Sequence, residues 1–252
     1  MITFARFGLF GTSAVTAVTA QNTTGVRAWE RVSPSLVRAQ IDAVAEDLRP
    51  ATVKSGMLGD EEIVYAVAEG IRAHALSPYV LDPVMVATSG DPLLELGAVQ
   101  AIVRELIPLA ALVTPNLDEA SLLLGRSVHD VESMEAAARA LVGVLGARAA
   151  LVKGGHLQGD ALVDVLFDGR ELTRFEHPRI VTRNTHGTGC TLSAAIAARL
   201  ALGDSLGEAV DAALTFVRRA IEHAPGLGHG HGPLDHLVDA DGSRAWLSGP
   251  EG

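Results

Sequence analysis

At 252 residues, with 48% hydrophobic residues and a mean hydropathy of +0.27, the chain can supply one large α/β domain or two small ones with a sizeable core. Aromatic residues make up only 4%, so Ala, Val and Leu must fill that core. A formal charge of −10, with no Lys/Arg block, argues against a nucleic-acid or anionic-membrane surface; any phosphate must be held locally, by backbone amides, a lysine or a metal ion.

The start of the chain carries one arginine, an apolar run and Val18-Thr19-Ala20, which imitate a secretory leader. Its positive end is thin, and Gly8, Gly11, Thr12, Ser13 and Thr16 interrupt the run, so no leader is expected. No stretch of about twenty apolar residues runs uninterrupted, so no membrane span is expected either. Cys190 is the single cysteine, which excludes an internal disulfide and points to a reducing compartment, the cytoplasm.

In chain order, Ala14 to Val18 reads as a short strand, followed by a polar loop from Gln21 to Gly25. Ser33-Pro34 starts a helix whose apolar face is Leu36, Val37, Ile41, Val44 and Leu48. Thr52 to Met57 reads as a strand. Asp60 caps a second helix with Glu61 and Glu62 in its first turn. Tyr79-Val80-Leu81 is a buried strand leading into Asp82-Pro83, a helix is predicted over about 98–107, and Ala111-Leu112-Val113 is a strand ending at Thr114-Pro115-Asn116. Helices at about 119–124 and 131–145 lead to the strand 149–152, which ends at Lys153-Gly154-Gly155. Residues 161–167 and 172–175 form a hairpin turned at Asp168-Gly169, and a last helix covers about 206–223.

Short apolar strands alternating with helices predict a mainly parallel sheet covered on both faces, which binds ligands at the carboxyl ends of its strands. The polar and glycine residues fall there: Lys54-Ser55-Gly56, Asp82-Pro83, Thr114-Pro115-Asn116 and Lys153-Gly154-Gly155. No linker, composition break or repeat divides residues 1–252, so a single domain is expected.

The chemistry is expected to centre on Asn184-Thr185-His186-Gly187-Thr188-Gly189-Cys190, which runs into an apolar helix carrying Leu192, Ile196 and Leu200 on one face. A loop that opens a helix presents unpaired amides and partial positive charge, which suit an anion; the same glycines also serve a plain turn. Asn116-Leu117-Asp118-Glu119 places two acids at a strand-to-helix junction, either for the helix dipole or for Mg²⁺. Lys153, beside two glycines, suits a transferring phosphate, and Asp82 is either a turn residue or a carboxylate aimed at metal or substrate.

The segments TAVTAQNT, VKSGML, VLDPVM, VTPNLDEA, LVKGGH and NTHGTGCTLSAAIA closely resemble the hydroxymethylpyrimidine/phosphomethylpyrimidine kinases of thiamine biosynthesis, in the ribokinase-like superfamily, from about Ile2 to Leu237. Cys190 is the most specific mark, because many other kinases of the superfamily have aspartate there. The resemblance implies a ribokinase-like three-layer α/β/α sandwich and ATP-dependent phosphorylation of hydroxymethylpyrimidine and of its monophosphate. It further implies that Gln21 hydrogen-bonds the aminopyrimidine, with Met57 and Val84 lining its pocket. Asn116 and Glu119 match the magnesium and phosphate motif, Asp82 adds a metal-facing carboxylate, and Lys153 and Thr185 lie at the nucleotide. Gly187, Thr188 and Gly189 form the anion hole. Cys190 stands at the place of the catalytic base, either activating the substrate hydroxyl or orienting it. A homodimer is implied as well.

Relatives begin with a strand and a glycine-rich substrate loop similar to AGSDSGGGAGIQADLKTF, whereas this sequence opens at Met1-Ile2-Thr3-Phe4, inside the helix that follows. An N-terminally truncated domain is the expectation, read as a start assigned too late in preference to a shortened paralogue. His229, His231 and His236 lack a helix or strand scaffold and a nearby cysteine, and are read as a glycine/histidine tail and not a metal site. The competing functions are a pyridoxal kinase and a non-catalytic binding paralogue. A nucleotide-binding oxidoreductase fits poorly, since no G-x-G-x-x-G follows the first strand.

Overall fold

A computed structural model describes residues 1–85, 96–155, 157 and 161–240. His156 of the LVKGGH segment lies outside the described residues. A short helix α1 (Ile2–Arg6) precedes a hairpin of β1 (Ala17–Asn22) and β2 (Gly25–Arg31), which forms a two-stranded sheet of its own. Here the expected pattern is corrected: the strand predicted at 14–18 begins at Ala17, and Gln21 lies on it, not in a loop. The partner strand escaped prediction because its residues, Gly-Val-Arg-Ala-Trp-Glu-Arg, are exposed or half-buried, without an apolar run. Asn22 turns the hairpin, its Oδ1 accepting a bond from the Thr24 amide at 2.9 Å.

Helix α2 (Pro34–Leu48) starts where Ser33 caps it, and α3 (Glu61–Ala73) where Asp60 accepts the Ile63 amide at 2.9 Å. Between them β3 (Val53–Ser55) is shorter than the predicted strand. After β4 (Tyr79–Leu81), helix α4 (Leu96–Ala101) continues as a π-helical turn to Leu106 and a 3₁₀ turn (Ile107–Leu109), where Pro108 lacks the amide a regular helix needs. β5 (Leu112–Val113), α5 (Leu117–Leu124), α6 (Val131–Gly143) and β6 (Ala150–Val152) follow as expected, then the predicted hairpin β7 (Ala161–Phe167) and β8 (Leu172–Pro178). Helices α7 (Thr188–Ala201) and α8 (Leu206–Glu222) complete the order.

The main sheet has six strands in the order β3-β4-β5-β6-β7-β8, parallel from β3 to β6 and antiparallel thereafter. Successive strand residues point to opposite faces, so two cores form. Tyr79, Leu81, Val113 and Val152 pack with Ile63, Ile102, Met134 and Leu141 of the helices on one face. Val80, Leu112 and Leu151 pack with Leu192, Ile196, Val210 and Phe216 of α7 and α8 on the other. This is the sheet covered on both faces that the alternation predicts, and the three-layer α/β/α sandwich that the resemblance implies.

Hydrogen bonds between neighbouring segments continue past the carboxyl ends of the parallel strands. The Asp82 amide donates to Ser55 O at 3.1 Å, Thr114 to Leu81 O at 2.9 Å and Lys153 to Pro115 O at 2.8 Å. The four polar strand ends are thereby drawn side by side, under the amino terminus of α7.

Candidate active site

Asp82 is the centre of this constellation. Its carboxylate is buried, and its two oxygens have different partners. Oδ1 accepts from Lys153 Nζ at 3.0 Å and from Thr114 Oγ1 at 3.3 Å; Oδ2 accepts from Ser193 Oγ at 3.2 Å and lies 3.8 Å from Lys54 Nζ. Burial works to raise its pKa, but Lys153 and Lys54 outweigh it and hold the group ionised, below the ordinary carboxylate range. Burial likewise works to lower Lys153, and the carboxylates of Asp82 and Glu119, the latter 3.9 Å away, hold it above its ordinary value. The ammonium is thus a fixed positive charge.

Asn116 and Glu119 meet through the cap of α5. Asn116 Oδ1 accepts the Glu119 amide and Glu119 Oε2 accepts the Asn116 amide, each at 2.8 Å. Such reciprocal capping fixes both side chains at the head of the helix. Burial pushes the Glu119 carboxyl up, against the pull of Lys153. Two carboxylates at one ammonium suit a magnesium ion that is shared with nucleotide phosphates and water, since such ions take one or two protein carboxylates. Among the described residues no group of three His, Cys, Asp or Glu forms a closed metal cage.

Gly187 caps α7 in the left-handed conformation, φ 78° and ψ 10°, and no side chain covers the helix start. The amides of Gly189 and Cys190 fall in the first turn, where a helix supplies no acceptor. Thr188 braces the loop through its hydroxyl, which donates to Thr185 O at 2.8 Å. A β-carbon on Gly189 would lie 3.0 Å from Lys153 Nζ and 3.9 Å from Asp82 Oδ2, so glycine there lets the loop settle on the charged pair. Amides, helix dipole and Lys153 converge on one spot, an arrangement suited to a transferring phosphoryl group.

A cavity of about 770 Å³ is lined by Lys54, Met57, Gly187 and Cys190 and extends along residues of α1, α2 and α3. Cys190 is exposed to it. The surrounding protein pushes its thiol up, as does Asp82, while Lys54 and Lys153 pull it down; the net direction is upward. Met57 lines the same cavity. Val84, half-buried, lies beside Gly56: a β-carbon there would stand 3.8 Å from Val84 Cγ2. Gln21 is exposed on β1 and is not part of the cavity lining, and Thr185 reaches the tail, its Oγ1 lying 3.4 Å from His231 Nδ1.

The structure therefore brings Asp82, Asn116, Glu119, Lys153, Gly187, Thr188, Gly189 and Cys190 together, and leaves Gln21 apart. Sequence reasoning missed three residues of the site. Ser193 binds Asp82 from one turn beyond Gly189, on the buried face of α7, and that spacing was the available signal. Asp164, buried on β7, accepts the Gly154 amide at 2.8 Å and so fixes the turn behind Lys153; burial pushes its carboxyl up. Lys54 was visible as a polar strand end without a role.

The family model for phosphomethylpyrimidine kinase matches residues 1–235. A hydroxymethylpyrimidine/phosphomethylpyrimidine kinase from Rhizobium meliloti is 51% identical over 237 residues, 93% of this chain and 89% of the relative. The thiamine biosynthesis bifunctional protein of Geobacter sulfurreducens is 47% identical over 96% of this chain, which corresponds to 49% of that longer protein. Among solved structures, a Staphylococcus aureus pyridoxal kinase in complex with AMP-PCP and pyridoxal superposes with a TM-score of 0.86 at 32% identity, covering 94% of this chain and 86% of that one. With the fold and the charged strand ends in agreement, the chain belongs to the phosphomethylpyrimidine kinase family.

Proposed function

We propose that the chain transfers the γ-phosphoryl group of ATP to hydroxymethylpyrimidine and then to the resulting monophosphate, as its relatives in thiamine biosynthesis are named for doing. The observation that carries this reading is the placement of Asp82, with one oxygen on Lys153 beneath the amino terminus of α7 and the other 3.8 Å from Lys54, which lines a cavity together with Cys190. Phosphoryl transfer needs little covalent help from a protein. It is accelerated by positioning and by neutralising charge on the moving phosphoryl oxygens.

In this reading ATP lies on the Lys153 side and the pyrimidine in the cavity. Lys153 and the amides of Gly187 to Cys190 hold the γ-phosphate, Asn116 and Thr185 contact the nucleotide, and Met57 and Val84 flank the pyrimidine. Gln21 would bind the amino group once the hairpin reaches over the cavity. Magnesium would come with the nucleotide, beside Asp82 and Glu119, and supplies charge neutralisation on the phosphate oxygens. Cys190 takes the proton that the substrate hydroxyl loses. A homodimer and a cytoplasmic location complete the reading, the latter supported by the lone cysteine; no helix among the described residues is long and apolar enough to cross a membrane.

ADP release measured with hydroxymethylpyrimidine and with its monophosphate, with products identified by mass, tests the proposal. Turnover of both is expected. Pyridoxal added as a competitor separates the second reading, favoured by the likeness to pyridoxal kinase. Turnover of pyridoxal alone, or nucleotide binding with no turnover, would overturn the assignment.

A further inference from the structure

Lys54 has no task in the reaction as described so far. Its ammonium is largely buried, its side chain 15% exposed, and it lies 3.8 Å from Asp82 Oδ2, the oxygen that accepts from Ser193, beyond hydrogen-bonding distance. It lines the cavity, which Lys153 does not. A β-carbon on Gly56 would lie 2.8 Å from Lys54 Nζ, so glycine leaves room for the ammonium at that spot. Among the charges that act on the Cys190 thiol, Lys54 exerts the largest lowering influence, which puts it next to the acceptor end of the cavity. Asp82 is thus flanked by two cations: Lys153 toward the donor, Lys54 toward the acceptor.

The two phosphorylations assigned to this site, on which this inference rests, have acceptors of different charge. In the first, the hydroxyl oxygen bonds to the γ-phosphorus, the bond from that phosphorus to the β,γ-bridging oxygen breaks with its electrons going to ADP, and the hydroxyl proton must leave. In the second, an oxygen of the bound phosphomonoester makes the same bond, ADP departs in the same way, and the dianion has no proton to give up. The first step needs a proton acceptor. The second needs two highly charged phosphates brought together, and therefore a cation on the acceptor side.

We propose that Lys54 is the residue that binds the phosphate of the phosphomonoester acceptor and so selects for the second phosphorylation. A hydrogen bond between charged partners in a partly closed cavity supports about a 10- to 100-fold preference. Replacing Lys54 also strips Asp82 of one partner, which affects both steps alike, so the diagnostic quantity is a ratio.

The test is kcat/KM for hydroxymethylpyrimidine and for its monophosphate in wild type, Lys54→Met, Lys54→Arg and Gly56→Ala, with dissociation constants for both pyrimidines measured calorimetrically in the presence of ADP. Lys54→Met is expected to lower the monophosphate-to-alcohol ratio about 10- to 100-fold, chiefly through KM, and to abolish the preference in binding. Lys54→Arg keeps the charge and restores most of the ratio. Gly56→Ala displaces the ammonium without removing it and shifts the ratio in the same direction, by less. An unchanged ratio in both Lys54→Met and Gly56→Ala, or equal losses on the two substrates, would overturn the proposal. Should wild type phosphorylate neither pyrimidine, the functional assignment falls, and the binding preference of wild type against Lys54→Met still decides the role of Lys54.

Discussion

Cys190 meets the cavity with a thiol that its surroundings push above the usual range, about 8.5 for a free cysteine. In the proton-accepting role proposed for it, a thiol with a raised pKa is mostly protonated at neutral pH and gains competence as pH rises. The rate of the hydroxymethyl step is therefore expected to climb with pH from 7 upward, levelling off only above the ordinary thiol value. The monophosphate step, which has no proton to remove, should lack that slope. Cys190→Ala should fold, flatten the profile and lose most of its turnover with the alcohol, about 100- to 10,000-fold, the range for positioned proton acceptors. A steady-state pH series on both substrates checks this; near-normal turnover in the alanine variant removes the proton-accepting role. The resemblance singled out Cys190 before any coordinates, and the structure places it on the cavity lining. The charges that set its pKa were not, since Lys54, Asp82 and Lys153 reach it from three separate strand ends.

Between the hairpin of β1 and β2 and the loop ahead of α7 runs the glycine/histidine tail. The His231 amide donates to Thr23 O at 2.8 Å at the hairpin tip, and the His186 amide donates to Gly232 O at 3.1 Å. Thr191 Oγ1 and His236 Nε2 lie 2.9 Å apart, a third tie to α7. A β-carbon on Gly230 would stand 2.0 Å from Thr23 O, so the tail can thread this gap only as glycine. The hairpin that carries Gln21 is in this way strapped to the loop ahead of α7. Gly230→Ala must push the two apart: faster amide exchange across residues 17–31 and a KM for hydroxymethylpyrimidine raised severalfold are expected, with exchange in α6 unchanged. Unaltered exchange in 17–31 would show that the strap bears no load. Of the tail histidines, His231 serves as a backbone partner and His236 as a hydroxyl partner. The strap itself was illegible, because its tie to the hairpin tip joins residues about two hundred positions apart and its ties to the α7 end join residues about 45 apart, and β2 was missed because a strand of exposed and half-buried residues shows no apolar alternation.

The whole molecule divides its apolar residues between two cores, and the division was partly visible in the sequence. Runs such as Tyr79-Val80-Leu81 and Ala150-Leu151-Val152 are apolar at every position, which marks strands covered on both faces. The strand order, and hence which buried residue supports which site, came only with the pairings. Leu151 and Leu141 show the difference. Both are fully buried, but Leu151 packs in the core beneath α7 and lies two residues before Lys153, whereas Leu141 belongs to α6 in the opposite core. Truncating either to alanine should cost about 2–5 kcal/mol, because each leaves a cavity that the close-packed surroundings fill only in part. Their effects on ligand binding should differ. A void under α7 loosens both the helix whose first turn is proposed to hold the γ-phosphate and the strand end that bears Lys153. Saturating ATP, which stabilises wild type by about 2.7 kcal/mol at one hundred times its dissociation constant, should therefore stabilise Leu151→Ala distinctly less than Leu141→Ala at equal nucleotide concentration. Thermal unfolding of the three proteins with and without ATP measures this. Equal ATP-induced shifts in the two variants would mean that the cradle is held by its own hydrogen bonds and takes no support from the core below.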